Sequence, residues 1–241
     1  MVMSKCLVTI PAYNEEMNIE KVLKELKKDF TEADILVIND CSKDKTKEVV
    51  EKNDVMCVTL PFNMGYSRAV QTGIKYANDY GYDYVIQFDA DGQHIAKEAK
   101  KLLKKIEESG ADIVIGSRYL EKDNYKQSFF RKIGTVIFSK LIKLFCKKEI
   151  TDPLSGFQCL NKKTIERFSK LGMYPEYPDA NLIIELLYDN YKIEEVSVKM
   201  RLREFGESMH GGIIKPIKYM IQMFYTIFII ILRNIFKRRR K

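Results

Sequence analysis

Residues 84–94 read Tyr-Val-Ile-Gln-Phe-Asp-Ala-Asp-Gly-Gln-His, and their order decides the fold class. An apolar run too short for a buried helix meets two acids spaced i, i+2 and then a glycine. Four to six apolar residues bounded by Asn, Asp, Gly or Pro predict a buried strand, here over 84–88. In an extended segment residues i and i+2 project to one side, so Asp89 and Asp91 face a common point. Working outward, the same grammar recurs at 5–10 (KCLVTI), 34–39 (DILVIN), 55–60 (VMCVTL) and 112–116 (DIVIG). Helix-period segments near 16–30, 44–53, 65–80 and 96–109 separate these runs. Strands alternating with helices through short connections predict an α/β fold on a mostly parallel twisted sheet flanked by helices.

In open parallel sheets ligands bind at the carboxyl ends of the strands. The first four predicted strands end in Pro11-Ala12-Tyr13-Asn14-Glu15-Glu16, Asn39-Asp40-Cys41-Ser42, Pro61-Phe62-Asn63-Met64-Gly65 and Asp89-Ala90-Asp91-Gly92-Gln93-His94. Any one of these alone is compatible with a turn or helix cap; four in register on one rim suggest a site. Two adjacent carboxylates repel unless a cation lies between them. Hard oxygen ligands with few protein contacts suit Mg²⁺ or Mn²⁺ that also takes substrate phosphate oxygens. Gln93 and His94 reach the same pocket. Asp40 stands where it either accepts a hydrogen bond from a nucleobase imide or ribose hydroxyl, or caps the helix near 44. Gly65 and Gly73 either allow close packing or let the helix approach a nucleotide with its backbone, with Arg68 on its first turn. No glycine-rich loop follows Pro11, which removes both the P-loop and the dinucleotide-binding fingerprint.

The chain has 241 residues, 46% hydrophobic and 31% charged, which excludes disordered, collagen-like and low-complexity classes. Five cysteines, odd in number and without a C-x-x-C pair, argue against a disulfide framework or zinc site and for a reducing cytosol. No signal-peptide pattern opens the sequence. The net charge of +8 is a tail effect: of 41 Lys and Arg, six fall in 233–241, leaving 35 against 33 Asp and Glu. A nearly neutral body argues against nucleic acid as a partner. A basic cluster beside an apolar segment suits an anionic membrane surface.

Beyond Arg118 the pattern changes. The segment 128–148 carries Arg131, Lys132, Lys140, Lys143, Lys147 and Lys148, no acid, and a heavy apolar side. It reads either as a core helix with a solvated basic face or as a helix in the membrane interface. A loop at 151–157, a helix near 179–190 and a strand near 193–199 follow. Between Lys218 and Arg233 lie 14 uncharged residues, about 21 Å of helix, short of the ~30 Å hydrocarbon core. That length favours an interfacial helix over a spanning one.

The motifs Pro11-Ala-Tyr-Asn-Glu-Glu16, Ile38-Asn-Asp-Cys-Ser-Lys-Asp-Lys-Thr46, Asn63-Met-Gly-Tyr-Ser-Arg-Ala-Val-Gln-Thr-Gly73, Asp89-Ala-Asp-Gly-Gln-His94 and Gly116-Ser-Arg-Tyr119 resemble those of family 2 inverting nucleotide-sugar glycosyltransferases of the GT-A fold. Asp152-Pro-Leu-Ser-Gly-Phe157 and Arg203-x-x-Gly206-x-Ser208 resemble the dolichol-phosphate mannose synthase and polyprenyl-phosphate glycosyltransferase branch. The resemblance covers about 5–212. It implies nucleotide contacts from Pro11, Tyr13, Glu15, Asp40 and Gly65, metal ligation by Asp89, Asp91 and Gln93, and phosphate contacts from Arg118, Arg131 and Arg203. It further implies a nucleotide-sugar-binding half (1–120), an acceptor-binding half of the same catalytic domain (121–212) and a membrane-associating tail (213–241).

The activity so implied is metal-dependent inverting sugar transfer from a nucleoside diphosphate to a polyprenyl phosphate. The implied setting is the cytoplasmic membrane face, peripheral or monotopic, and a small membrane-protein partner or a homo-oligomer is compatible with it. Relatives commonly show a carboxylate near Asn181; here Asp179 and Asp152 are the carboxylates available as an acceptor-side base. Asp91 and Arg203 complete the expected catalytic set. A glycan-chain acceptor is the alternative within the class. A nucleotidyltransferase lacks its glycine-rich loop, and a degenerate scaffold fits poorly with Asp89, Asp91 and Arg203 all in place.

Overall fold

Alternating side chains along the strands build two cores on one sheet. The computed structural model describes residues 4–121, 129–203, 205 and 214–239, without the side chains of 129–131, 214–217 and 238–239. Strand β1 (Cys6–Ala12) is buried along its whole length. Leu7 points into one core while Cys6, Val8, Ile10 and Ala12 point into the other. Strand β2 (Ala33–Asn39) repeats this, with Leu36 and Ile38 opposite Val37. Burial on both faces is what makes these strands nearly continuous apolar runs.

Strands β3 (Met56–Thr59), β4 (Tyr84–Gln87), β5 (Ile113–Ser117), β6 (Gln158–Asn161) and β7 (Ile193–Ser197) complete a seven-stranded sheet ordered β3-β2-β1-β4-β6-β5-β7. The sheet is parallel except for β6, which runs antiparallel between β4 and β5. It therefore continues through both halves of the chain. Neither β6 nor the helix α6 (Lys162–Phe168) behind it was expected from sequence, whereas the other six strands fall within two residues of their expected ends.

Helices α1 (Ile19–Asp29), α2 (Thr46–Lys52) and α4 (Ala96–Ser109) contribute to one core. Helices α3 (Tyr66–Asp79), α5 (Phe129–Cys146), α6, α7 (Ala180–Tyr188) and α8 (Ile214–Arg239) contribute to the other. Helix α3 crosses β1 at Gly73, where a Cβ would stand 1.9 Å from Thr9 Oγ1. Close packing is thus the reason for that glycine. Within α8, Lys218–Lys237 is long and apolar enough to cross a membrane by length and composition, and only 11% of its most apolar window is buried. It runs along α7: Met223 and Ile227 enter the core, Arg233 pairs with Glu185 at 2.7 Å, and Lys237 with Asp189 at 3.5 Å.

Candidate active site

The rim at the carboxyl ends of β1, β2 and β4 is stitched together before it offers anything to a ligand. The backbone N–H groups of Asn14, Glu15 and Glu16 donate to Ser42 Oγ, Thr46 Oγ1 and Asp44 Oδ2 at 3.1, 2.8 and 3.1 Å. In return Lys43 N–H donates to Asn14 Oδ1 and Lys45 N–H to Glu16 Oε2. Much of the polar sequence after β1 and β2 therefore satisfies loop backbone. Pro11 is buried in β1 beside Ile38, and Tyr13 stands 40% exposed at the mouth.

Asp40 is buried, and its carboxylate accepts Met64 N–H at 2.7 Å and Gly65 N–H at 2.8 Å. The helix it serves is thus α3; Asp44, two residues before α2, accepts Thr46 N–H at 3.0 Å. Gly65 has φ +88°, and a Cβ there would meet nothing within 4 Å, so conformation rather than space requires glycine. Two of the carboxylate's roughly four acceptor positions are taken, which leaves capacity for a ribose or imide donor.

Strand β4 ends at Gln87, so Asp89 lies beyond the ladder and Ala90–Asp91 form a turn. The acids nonetheless converge: Asp91 is pushed above the usual carboxylate range by burial first and by the negative charge of Asp89 second. Tyr66 on the first turn of α3 donates its hydroxyl to Asp89 Oδ1 at 2.9 Å. Burial above all, then Asp89, keeps that phenol protonated. His94 packs flat on Phe157, centroids 4.2 Å apart, and its Nδ1 accepts Asp89 N–H at 3.0 Å. Burial pushes the His94 pKa down to about 4, so at neutral pH it is an uncharged brace. Gln93 N–H donates to Asp91 Oδ1, and its side-chain amide nitrogen donates to the Arg201 carbonyl.

Arg203 inserts between the two halves of the rim. It donates to Glu15 Oε1 at 2.7 Å and stands 3.7 Å from Asp91 Oδ2. Asn18 holds the other Glu15 oxygen at 2.7 Å. Burial outweighs these favourable contacts and leaves Glu15 above its usual pKa.

Two residues expected at the site, Arg118 and Asp152, pair with each other. Arg118 Nε and Nη2 donate to Asp152 Oδ2 and Oδ1 at 2.7 and 2.8 Å, and Arg118 N–H adds a third bond at 3.1 Å. Asp152 is fully buried and Arg118 nearly so. Asp179 precedes α7 and accepts the hydroxyl of Tyr219 on α8 at 2.7 Å, while Asn181 Oδ1 accepts Asp179 N–H. The side chain of Arg131, like Gly206 and Ser208, lies outside the described residues. Sequence reasoning assigned no role at the site to Tyr66, Asn18 or Tyr219. Tyr66 lies within a quoted motif, but its partner is 23 residues away and leaves no local signal.

No group of three or more His, Cys, Asp or Glu side chains among the described residues is placed to hold a metal ion by itself. A divalent cation held by Asp89 and Asp91 would have to complete its shell with amide, water and diphosphate oxygens, which is how Mg²⁺-type sites are usually built. Two hard carboxylate donors in one turn, with the Gln93 side chain beside them, are a donor set that fits such an ion.

The chain is a glycosyltransferase with a GT-A-like fold, as its family and its structural neighbours show. The chain belongs to the family described as Glycosyl transferase family 2, whose model matches residues 7–168. It is 31% identical over 218 residues to an uncharacterized protein of Methanocaldococcus jannaschii, covering 90% of this chain and 89% of that one. It is also 31% identical over 220 residues to a dolichol-phosphate mannosyltransferase of Pyrococcus furiosus, covering 86% of this chain and 60% of that one. Among solved structures, glucosyl-3-phosphoglycerate synthase of Mycobacterium tuberculosis, with Mn²⁺, UDP-glucose and phosphoglyceric acid, aligns at TM-score 0.68. That match has 17% identity and covers 95% of this chain and 80% of the other.

Proposed function

We propose that this glycosyltransferase moves a sugar from a nucleoside diphosphate to a polyprenyl phosphate, with Mg²⁺ or Mn²⁺, at the cytoplasmic face of a membrane. The observation that carries the acceptor class is the state of the two acceptor-side carboxylates. Asp152 is fully buried and bound on both oxygens by Arg118, and Asp179 accepts the Tyr219 hydroxyl; in this reading neither acts as a general base. A sugar hydroxyl must lose a proton during attack. A phosphate monoester, with its second pKa near 6, is already mostly dianionic at pH 7. The name of the Pyrococcus furiosus relative points the same way.

In this reading 1–120 is the donor half, 121–212 the acceptor half and 213–241 the membrane-associating tail. Tyr13 stacks the base at the exposed mouth, Pro11 shapes the wall beside it, and Asp40 orients the ribose or base while fixing Gly65. Asp89, Asp91 and Gln93 hold the cation, which when bound supplies positive charge to the leaving diphosphate. Arg203 leaves its pairing with Glu15 to meet phosphate, trading a carboxylate for a phosphate oxyanion in a charge-assisted hydrogen bond. The metal ligands and the arginine then face the bond whose breaking sets charge free, where electrostatic stabilisation is worth most.

Membrane association is supported by what α5 and α8 leave uncovered. Val136 and Leu144 on α5, and Ile221, Tyr225 and Phe228 on α8, are exposed. Lysines flank the first helix and the basic tail follows the second. Since Arg233 and Lys237 pin α8 along α7, the helix lies in the interface with its apolar side down.

Thermal shift against nucleoside diphosphates, with and without Mn²⁺, tests the donor half. A ligand at a hundredfold excess over Kd adds about 2.7 kcal/mol, or roughly 5–10 °C for a chain of this size. A shift that needs both nucleotide and metal is expected; no shift with any of them would overturn the donor and metal assignments.

A further inference from the structure

Tyr219 carries α8 into the acceptor side of the site. Besides its bond to Asp179, its ring stands at 75° to that of Tyr177, centroids 5.4 Å apart. One and two turns on, Gln222 and Thr226 face Glu176, Tyr177 and Asn181 across a cavity of about 50 Å³. From the opposite side the same segment is held by α3: Ser67 Oγ donates to the Glu176 carbonyl, next to Tyr66 and its bond to Asp89. Residues 176–179 are thus clamped between the turn that braces a metal-binding carboxylate and the helix assigned to the membrane.

We propose that Tyr219 is a positioning residue for sugar transfer, so that α8 completes the acceptor side of the active site as well as anchoring the protein. The physical reason is charge. An acceptor phosphate arrives as a dianion, and a loose carboxylate in its path would repel it. The Tyr219 hydroxyl holds Asp179 by a hydrogen bond, which fixes where that negative charge sits and keeps 176–179 in register with α3. Seating of α8 on the domain and readiness of the acceptor side then become one event.

The inference rests on the phosphate-acceptor reading, and the test separates the two. A short-chain, water-soluble prenyl phosphate is used without vesicles, so that anchoring does not enter the rate. Tyr219→Phe keeps the ring and removes only the donor. It should lower kcat/KM for the acceptor 10- to 100-fold, leave the donor KM within twofold, and sediment with phosphatidylglycerol vesicles as wild type does. Tyr219→Phe should also unfold at the wild-type temperature, so that a loss confined to the acceptor is not a folding defect. Unchanged acceptor kinetics in Tyr219→Phe, or a loss that falls equally on donor and acceptor, would overturn the inference while leaving the acceptor reading intact. A wild-type enzyme that ignores prenyl phosphates would end both.

Discussion

Asp152→Asn separates a catalytic role for this carboxylate from a structural one. The side chain is fully buried and receives three hydrogen bonds from Arg118, two of them from the guanidinium at 2.7 and 2.8 Å. The amide keeps the shape but removes the charge, leaving a guanidinium whose side chain is only 6% exposed without its counter-ion. Breaking a buried pair from one side costs about 3–5 kcal/mol, because the remaining charge stays desolvated. At roughly 2–4 °C per kcal/mol for a chain of this size, the melting midpoint should fall by about 6–20 °C. Differential scanning calorimetry and urea titration should agree on the loss. Arg118→Met with Asp152→Leu, which removes both charges, should recover much of the stability, since apolar replacement of a buried pair is often neutral. A fully stable Asp152→Asn protein with abolished turnover would refute this reasoning and return Asp152 to the chemistry.

Asp91→Asn should abolish turnover with a circular dichroism spectrum like wild type, and chelator should do the same to wild type; activity in either case would remove the metal from the account. Gly73→Ala should cost about 1–3 kcal/mol by overpacking, because its Cβ meets Thr9 Oγ1. Thr9→Ala should relieve that cost in urea titrations, since the Thr9 hydroxyl is buried without a hydrogen-bond partner. Asp112 has burial raising its pKa, outweighed by Lys192 N–H, Lys163 and Asn161, which hold it below the usual carboxylate value. Its folded pKa is depressed, so its contribution is present above the unfolded value near 3.9 and lost as pH falls through the folded one. Between pH 5 and 2.5 the Asp112→Asn variant should show a shallower fall in urea midpoint than wild type.

Strands β1, β4 and β5 were legible because burial on both faces writes apolar runs into the sequence, and the less buried β2, β3 and β7 because turn residues bound their short apolar or β-branched stretches. Strand β6 was not: Gln158-Cys-Leu-Asn161 is four residues with polar ends, and its burial comes from antiparallel pairing with β4 and β5, distant in sequence. The rim was legible as a location, less so as a set of roles. Local spacing placed Asp40 near a ligand or the helix near 44, but its backbone partners are 24 and 25 residues on. Nothing in the spacing of Arg118 and Asp152, 34 residues apart, announces that the fold pairs them. Asp89 and Asp91 were found at once, because the chemistry and the spacing lie in the same three residues.

The most direct measurement of the central claim is transfer from a radiolabelled nucleoside-diphosphate sugar, in Mn²⁺, to a short polyprenyl phosphate and, in parallel, to the matching polyprenol. The account predicts label in the phosphate product alone, as an acid-labile sugar phosphate, with the signal lost in Arg203→Ala. Efficient labelling of the free alcohol, or of an oligosaccharide in place of the lipid phosphate, would contradict it.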